Sequence, residues 1–408
     1  MAVGLHPPGR LLPVGGVRLS AAAAGIRYED RDDLVLMALE PDTQAAAVFT
    51  RNRFRAAPVT VAAEHLSRAA PRGLLINAGN ANAGTGLAGL EACRRTCELA
   101  AQRLGCAPYE VLPFSTGVIG EPLPVAPFEA AMDRLAAGLE AEGWARAARA
   151  IMTTDTTPKA ASCRIETADG GVTLTGMAKG AGMIRPDMAT MLAFLATDAA
   201  VPAGELQSLL GEAVGESFNA ITVDGDTSTN DACVLLATGA AGVTITPRTS
   251  HWRAFRRELG RLMQWLAQAI VRDAEGATKF VTVRVEGAVD PAQARTVAYT
   301  VAHSPLVKTA FYASDPNWGR ILAAVGRAPV EDLDVARVAL WLEAGRERVR
   351  VVRDGALDPD YHEAAGAAVM ARPEFTVRIV LGRGAASATV WTSDLSHEYV
   401  RINAEYRT

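Results

Sequence analysis

The stretch GMAKGAGMIRPDMATMLAFLAT, residues 176–197, decides how the chain reads. Its first half is a glycine-rich loop. Its second half, TMLAFLAT from Thr190 to Thr197, is a continuous apolar run of strand length. Upstream, Ser162 to Thr167 and Val172 to Met177 flank Asp169-Gly170-Gly171, a strong hairpin signal. Downstream, Pro202 to Gly215 reads as a helix with proline near its first turn. The helix from Trp252 to Arg272 is clearer still, with Ser250 available as a cap. Phe255, Leu259, Leu262, Leu266 and Ile270 share one of its faces. The alternation of strands and helices predicts a mixed α/β class.

The rest of the chain fits that class. Leu87 to Leu104 reads as a helix closed by Gly105, and Val111 to Phe114 as a short buried strand entering the loop STGVIG. Phe280 to Val285, Val338 to Leu342, Phe375 to Leu381 and Ala388 to Trp391 look like strands of a separate C-terminal α/β unit, with a boundary near residue 280. A length of 408 residues allows two or three domains at roughly 150 residues each. With 49% hydrophobic and 21% charged residues, intrinsic disorder is excluded. Lys+Arg 41 against Asp+Glu 45 gives a net charge of -4, which argues against a nucleic-acid partner. No apolar run approaches the roughly 20 residues needed to cross a bilayer, and the Pro- and Gly-broken N-terminus is a poor secretory signal. The expectation is a cytoplasmic protein without a membrane partner.

The five cysteines and six histidines offer no metal-ligand spacing, so no metal is expected. Cys93 and Cys97 fall on the apolar stripe Leu90, Cys93, Cys97, Ala100, Leu104 and read as core residues. Four stretches are instead crowded with Gly, Asn, Thr and Ser: residues 77–86 (NAGNANAGTG), 115–120 (STGVIG), 176–190 and 222–231 (TVDGDTSTND). Each alone is an ordinary turn region. Together they suggest amides and hydroxyls converging on a polar ligand. A P-loop is absent because Gly180 follows Lys179, and GxGxxG fails at Arg185. There is no GxSxG elbow. One other chemistry fits the loop before Thr190. A threonine freed by cutting the peptide bond before it can use its own α-amine as base, with a reference pKa of about 7.7–8.0. On the residues alone, an ordinary β-forming threonine remains the commoner case.

Matching stretches run almost the whole length of the chain: NAGNANA at 77–83, STGVIG at 115–120, MTTDTTPK at 152–159, MAKGAGMIRPDMATML at 177–192, TVDGDTSTND at 222–231, EGATKF at 275–280, DPNWGRI at 315–321 and YVRINAEYRT at 399–408. In these the chain resembles the ornithine acetyltransferases, or glutamate N-acetyltransferases, of arginine biosynthesis. The resemblance implies a four-layer α/β/β/α sandwich over residues 1–280, followed by a smaller α/β domain over 281–408. It implies self-cleavage between Ala189 and Thr190 into an α chain (1–189) and a β chain (190–408), assembled as an α2β2 heterotetramer. Thr190 would be the nucleophile, with Thr116 and Gly117 forming the oxyanion hole. The reaction implied is ping-pong transfer of acetyl from N-acetyl-L-ornithine to L-glutamate, without metal or other cofactor. Acetyl-CoA as a second donor stays open.

The substrate-binding residues carried over are Thr154, Lys179, Thr190, Glu275, Asn403 and Thr408. Lys179, Asn403 and Thr154 suit a carboxylate, and Glu275 suits the δ-ammonium of ornithine. Lys and Glu beside loops are more often solvated charges. A glutamate side chain would be repelled by Glu275, so it is expected along Lys179 or a water. Two competing readings remain: a self-cleaving amidase or aminopeptidase that hands the acyl group to water, and an uncut amino-acid-binding protein.

Overall fold

The computed structural model describes residues 2–185 and 191–405. Ala189, Thr190 and Thr408 therefore lie outside the described residues. The chain forms two compact units. The larger holds Pro7–Asn219 and Asp226–Ile270; the smaller holds the N-terminal residues up to His6, Ala220–Gly225 and the stretch from Val271 onward.

In the larger unit the strands are β1 (Val17–Ala22), β2 (Leu34–Leu39), β3 (Gln44–Phe49), β4 (Gly73–Asn80), β5 (Val111–Val118), β6 (Lys159–Thr167), β7 (Gly170–Lys179), β8 (Leu192–Thr197) and β9 (Ala232–Ala237). The helices are α1 (Ala57–Arg68), α2 (Gly86–Leu104), α3 (Ala126–Ala137), α4 (Trp144–Ala150), α5 (Ala203–Gly215) and α6 (Trp252–Arg272). One sheet has the order β1-β2-β4-β5 and the other β3-β9-β8-β7-β6. Strand side chains alternate between faces, and that alternation builds the layers. Leu74 and Ile76 of β4, with Leu112 and Phe114 of β5, share one core with Leu192, Phe194 and Ala196 of β8. Phe114 and Phe194 meet edge to face across it, with ring centroids 5.0 Å apart. Leu75 and Val111 belong instead to a second core with Cys93 and Cys97 of α2 and Phe128 of α3. On the far side of the second sheet Gly176 leaves room for α6, since a Cβ there would lie 3.2 Å from Leu266 Cδ1. The larger unit is thus a helix–sheet–sheet–helix sandwich.

The smaller unit carries β10 (Phe280–Ala288), α7 (Pro291–Ala302), α8 (Pro305–Ala313), α9 (Trp318–Gly326), β11 (Ala339–Ala344), β12 (Glu347–Arg353), β13 (Ala356–Leu357), α10 (Glu363–Met370), β14 (Glu374–Val380), β15 (Ala386–Ser393) and α11 (His397–Glu405). Its sheet has the order β13-β12-β11-β14-β10-β15, and β10 runs parallel to β14. Val297, Val301, Val325 and Met370 bring α7, α9 and α10 onto it.

Two details depart from the sequence reading. Among the described residues the apolar strand starts at Leu192, with Met191 outside it. The STG segment is strand, not loop: β5 runs on to Val118, and Ser115, Thr116 and Gly117 pair with Asn77, Ala78 and Gly79 of β4. The partner that extends it lies 38 residues upstream, beyond any local pattern. Among the described residues no helix is long and apolar enough to cross a membrane.

Candidate active site

The end of β5 is held in an unusual shape. Gly117 has φ +134, and a Cβ there would lie 2.2 Å from the carbonyl carbon of Gly79. No side chain fits at 117, so the two strands approach closely there because Gly117 is glycine, while a Cβ at Gly79 would instead meet Arg27 Cβ at 2.3 Å. Pairing shifts register at Asn80, a bulge of the kind that turns backbone groups out of a ladder.

The four polar stretches do converge here as far as they are described. Asn230 Nδ2 donates to the carbonyls of Ala81 at 2.6 Å and Ser115 at 2.9 Å. Ser115 Oγ donates to Asn77 Oδ1, and Asn77 Nδ2 donates to the Asn80 carbonyl. Buried amides and hydroxyls are satisfied by one another, which fixes the backbone around Thr116 and Gly117.

Lys179, the last residue of β7, points into this network and is only 4% exposed. Its Nζ donates to Thr116 Oγ1 at 3.2 Å and to Thr153 Oγ1 at 2.8 Å, and lies 4.0 Å from Asp155 Oδ2. The structure therefore joins Lys179 to Thr116 directly. It is Thr153, not its neighbour Thr154, whose hydroxyl meets the ammonium; Thr154 is half-buried in the same loop. Because Thr116 Oγ1 accepts from a cation, its own O–H is left polarised as a donor.

Three neighbours escaped the sequence reading, although each lies in a quoted stretch. Asp155 Oδ1 accepts from Lys159 Nζ at 2.6 Å and from the Gly180 N–H at 2.7 Å. Lys159 is 0% exposed. Burial opposes ionisation of Asp155, but the ammonium groups of Lys159 and Lys179, with the Gly180 N–H, hold it well below the usual carboxylate range. Asp231, before β9, is just as buried, yet burial pushes its carboxyl well up. The Met191 N–H, the Ser228 hydroxyl and the charge of Lys179 oppose that without overcoming it. A period or motif search finds none of this, because each effect depends on a partner distant in sequence.

Glu275 and Asn403 meet within the smaller unit. Asn403 Nδ2, on α11, donates to Glu275 Oε2 at 2.7 Å and to the Tyr399 carbonyl at 3.0 Å. Gly276 lets the loop reach the helix, since a Cβ there would lie 2.5 Å from Tyr399 N. Tyr399 OH donates to Asp224 Oδ2 at 3.2 Å. Near Asp224 is the buried Lys308, which burial lowers to about 8 against the pull of Asp394 and Asp224. Lys308 Nζ also donates to Thr392 Oγ1 at 2.9 Å.

Comparison with known proteins gives a consistent result. The model of the ArgJ family matches residues 18–408. A protein of Methylococcus capsulatus called arginine biosynthesis bifunctional protein ArgJ is 58% identical over 98% of this chain and 97% of its own. One of the same name from Pseudomonas syringae is 53% identical over 100% of both chains. The structure of an ornithine acetyltransferase from Mycobacterium tuberculosis, solved with ornithine, is 38% identical over 45% of this chain and 96% of its own, with a TM-score of 0.41.

Proposed function

The chain belongs to the ArgJ family, and from that premise we propose how it performs its chemistry. It is an acetyltransferase of arginine biosynthesis that moves acetyl from N-acetyl-L-ornithine to L-glutamate. In our reading Thr190 Oγ first attacks the Ala189 carbonyl and the peptide C–N bond opens. Water hydrolyses the resulting ester and leaves Thr190 as a new N-terminus. The liberated α-amine then serves as base. As Oγ bonds to the acetyl carbon of N-acetylornithine, the amine takes the hydroxyl proton and passes it to the departing nitrogen of ornithine. The amino group of glutamate attacks the acetyl-threonine by the reverse course, giving N-acetylglutamate.

Both half-reactions pass through a tetrahedral oxyanion, which needs donors positioned in advance. The single observation that carries this reading is the hydrogen bond from Lys179 to Thr116 beside Gly117. It leaves the Thr116 O–H polarised and fixed, next to a backbone held by its lack of side chain. Glu275, oriented by Asn403, supplies an anion suited to the δ-ammonium of ornithine, while Thr154, Lys179 and Thr408 complete the binding set. The fragments 1–189 and 190–408 assemble as an α2β2 enzyme of the cytoplasm that needs no metal or other cofactor. The word bifunctional in the relatives' names supports acetyl-CoA as a second donor.

The test is N-acetylornithine labelled in its acetyl group, given with glutamate. Label in N-acetylglutamate supports transfer; label in free acetate would make the protein a hydrolase. On a denaturing gel active material should run as two bands, and Thr190→Ala as one inactive band. Acetyl-CoA as sole donor tests the second activity.

A further inference from the structure

The loop before α1 reads Arg51-Asn52-Arg53-Phe54-Arg55. Its start is tied down: Thr50 Oγ1 donates to the Ser228 carbonyl at 2.8 Å, and Asn52 Nδ2 to that of Thr227 at 2.9 Å. Arg53, Phe54 and Arg55 then stand exposed. Phe54 is 70% exposed, and Leu87 in the first turn of α2 is 77% exposed. Together with Arg53, Arg55, Gly84 and Leu90 they line one pocket of about 550 Å³, a size that suits a small molecule. One exposed apolar side chain needs no explanation, but two on one pocket offer a surface for a flat ring. Neither Arg53 nor Arg55 makes an ion pair among the described residues. The groove between α5 and α6 also carries arginines, but those are spoken for. Arg256 meets Glu212 at 2.7 Å, and Arg257 and Arg261 meet Glu258 at 2.9 and 3.0 Å. Two cations without counter-ions beside an exposed aromatic ring fit a ligand that joins phosphates to a base.

The pocket also lies close to the backbone read as the oxyanion hole. The Gly120 N–H donates to the Ala83 carbonyl at 2.9 Å, and Gly84 of the pocket follows Ala83. Gly120 is three residues beyond Gly117, at most about 10–11 Å along an extended chain. We propose that this pocket holds the adenine nucleotide of a coenzyme A thioester. Arg53 and Arg55 pair with its phosphates, the adenine lies against Phe54 and Leu87, and the pantetheine arm reaches the backbone at Thr116 and Gly117. The proposal rests on acetyl-CoA as the second donor, as read above, and adds where that donor is held. A guanidinium presents a fixed fork to phosphate oxygens, and any base offers a face to stack. N-acetylornithine carries neither phosphate nor base, so this anchor serves one donor only.

The test is the double variant Arg53→Ala, Arg55→Ala, assayed with both donors. KM for acetyl-CoA should rise roughly tenfold or more, while kcat and KM for N-acetylornithine stay within about twofold. Phe54→Ala should raise KM for acetyl-CoA about fivefold or more. S-acetyl-N-acetylcysteamine, a short thioester without a nucleotide, should react equally well with wild type and double variant. An unchanged KM for acetyl-CoA in both variants would overturn the proposal. So would an equal loss with N-acetylornithine or the short thioester, which would make the arginines part of the general scaffold. A changed oligomeric state on light scattering, with acetyl-CoA kinetics unmoved, would assign the face to contact between copies of the chain instead. Calorimetric binding of coenzyme A to the whole enzyme separates this failure from that of the second-donor reading. Wild type that binds coenzyme A through the arginines, yet makes no N-acetylglutamate from acetyl-CoA, sinks the reading and keeps the pocket. Wild type that makes N-acetylglutamate from acetyl-CoA, with binding unchanged in the double variant, sinks the pocket alone.

Discussion

Asp155 and Asp231 are both buried and both feel the charge of Lys179, yet they titrate in opposite directions. The difference lies in what each accepts. Asp155 has two lysine ammonium groups nearby and the N–H groups of Thr153 and Gly180 on its oxygens. Asp231 has the Met191 N–H on Oδ1 and an unmet Oδ2. Burial alone therefore does not decide the charge of a carboxyl; the supply of donors does. The loop holding Asp155 is finished as it stands, whereas the strand end holding Asp231 has capacity left over. One region serves the fold, and the other is available to chemistry.

The hardest test of this contrast is Asp155→Asn. It takes from the wholly buried Lys159 the carboxylate that lies 2.6 Å from its ammonium and should destabilise the protein by about 3–5 kcal/mol, read from chemical denaturation. A loss within error of zero would remove Asp155 from the structural side of the comparison. Next in size is Thr116→Ala, which removes the hydroxyl proposed as an oxyanion donor. It should cost about 2.7–4 kcal/mol in kcat with the chain still folded, measured by steady-state transfer. A loss confined to KM would mean that Thr116 binds substrate without serving the transition state.

Glu275→Gln probes the pair that Glu275 makes with Asn403 in the smaller unit. It should raise KM for N-acetylornithine about tenfold while changing that for glutamate much less, because only N-acetylornithine carries a cation on its side chain. Equal changes would argue for one shared pocket.

The smallest expected effect is on stability and needs a Thr190→Ala background, so that the chain stays whole. Asp155 has a lowered folded pKa, so its contribution is complete above the unfolded value of about 3.9 and is lost as pH falls towards the folded one. Asp231 has a raised folded pKa, so its contribution is complete below about 3.9 and is lost as pH rises through the folded value. Asp231→Asn should accordingly raise Tm at pH 8 more than at pH 4. The reverse order would show that Asp231 is ionised in the uncut chain.

How far the sequence could be read follows from the range of each interaction. Helix α6 and the hairpin of β6 and β7 are set by residues a few positions apart, and both are visible in the pattern. Cys93 and Cys97 sit in a core as their spacing predicts. The STG segment misleads because glycine and serine look like turn, while its strand pairing with β4 is non-local. Of the site, the polar stretches themselves stand out, and the bond between Asn403 and Glu275 joins two residues named from sequence alone. What stayed hidden was the state of the carboxyls. Asp231 and Asp155 are the same letter in similar surroundings of Thr and Ser, and only the positions of Met191, Gly180 and Lys159 separate them.

The glycine pair at positions 79 and 117 sets a limit on redesign. With 2.2 Å between a Gly117 Cβ and the carbonyl carbon of Gly79, no larger residue enters at 117 without parting two strands of the sheet, and one at 79 would meet Arg27 Cβ at 2.3 Å. Efforts to make the enzyme accept bulkier acyl groups would have to spare this seam and recruit variation elsewhere.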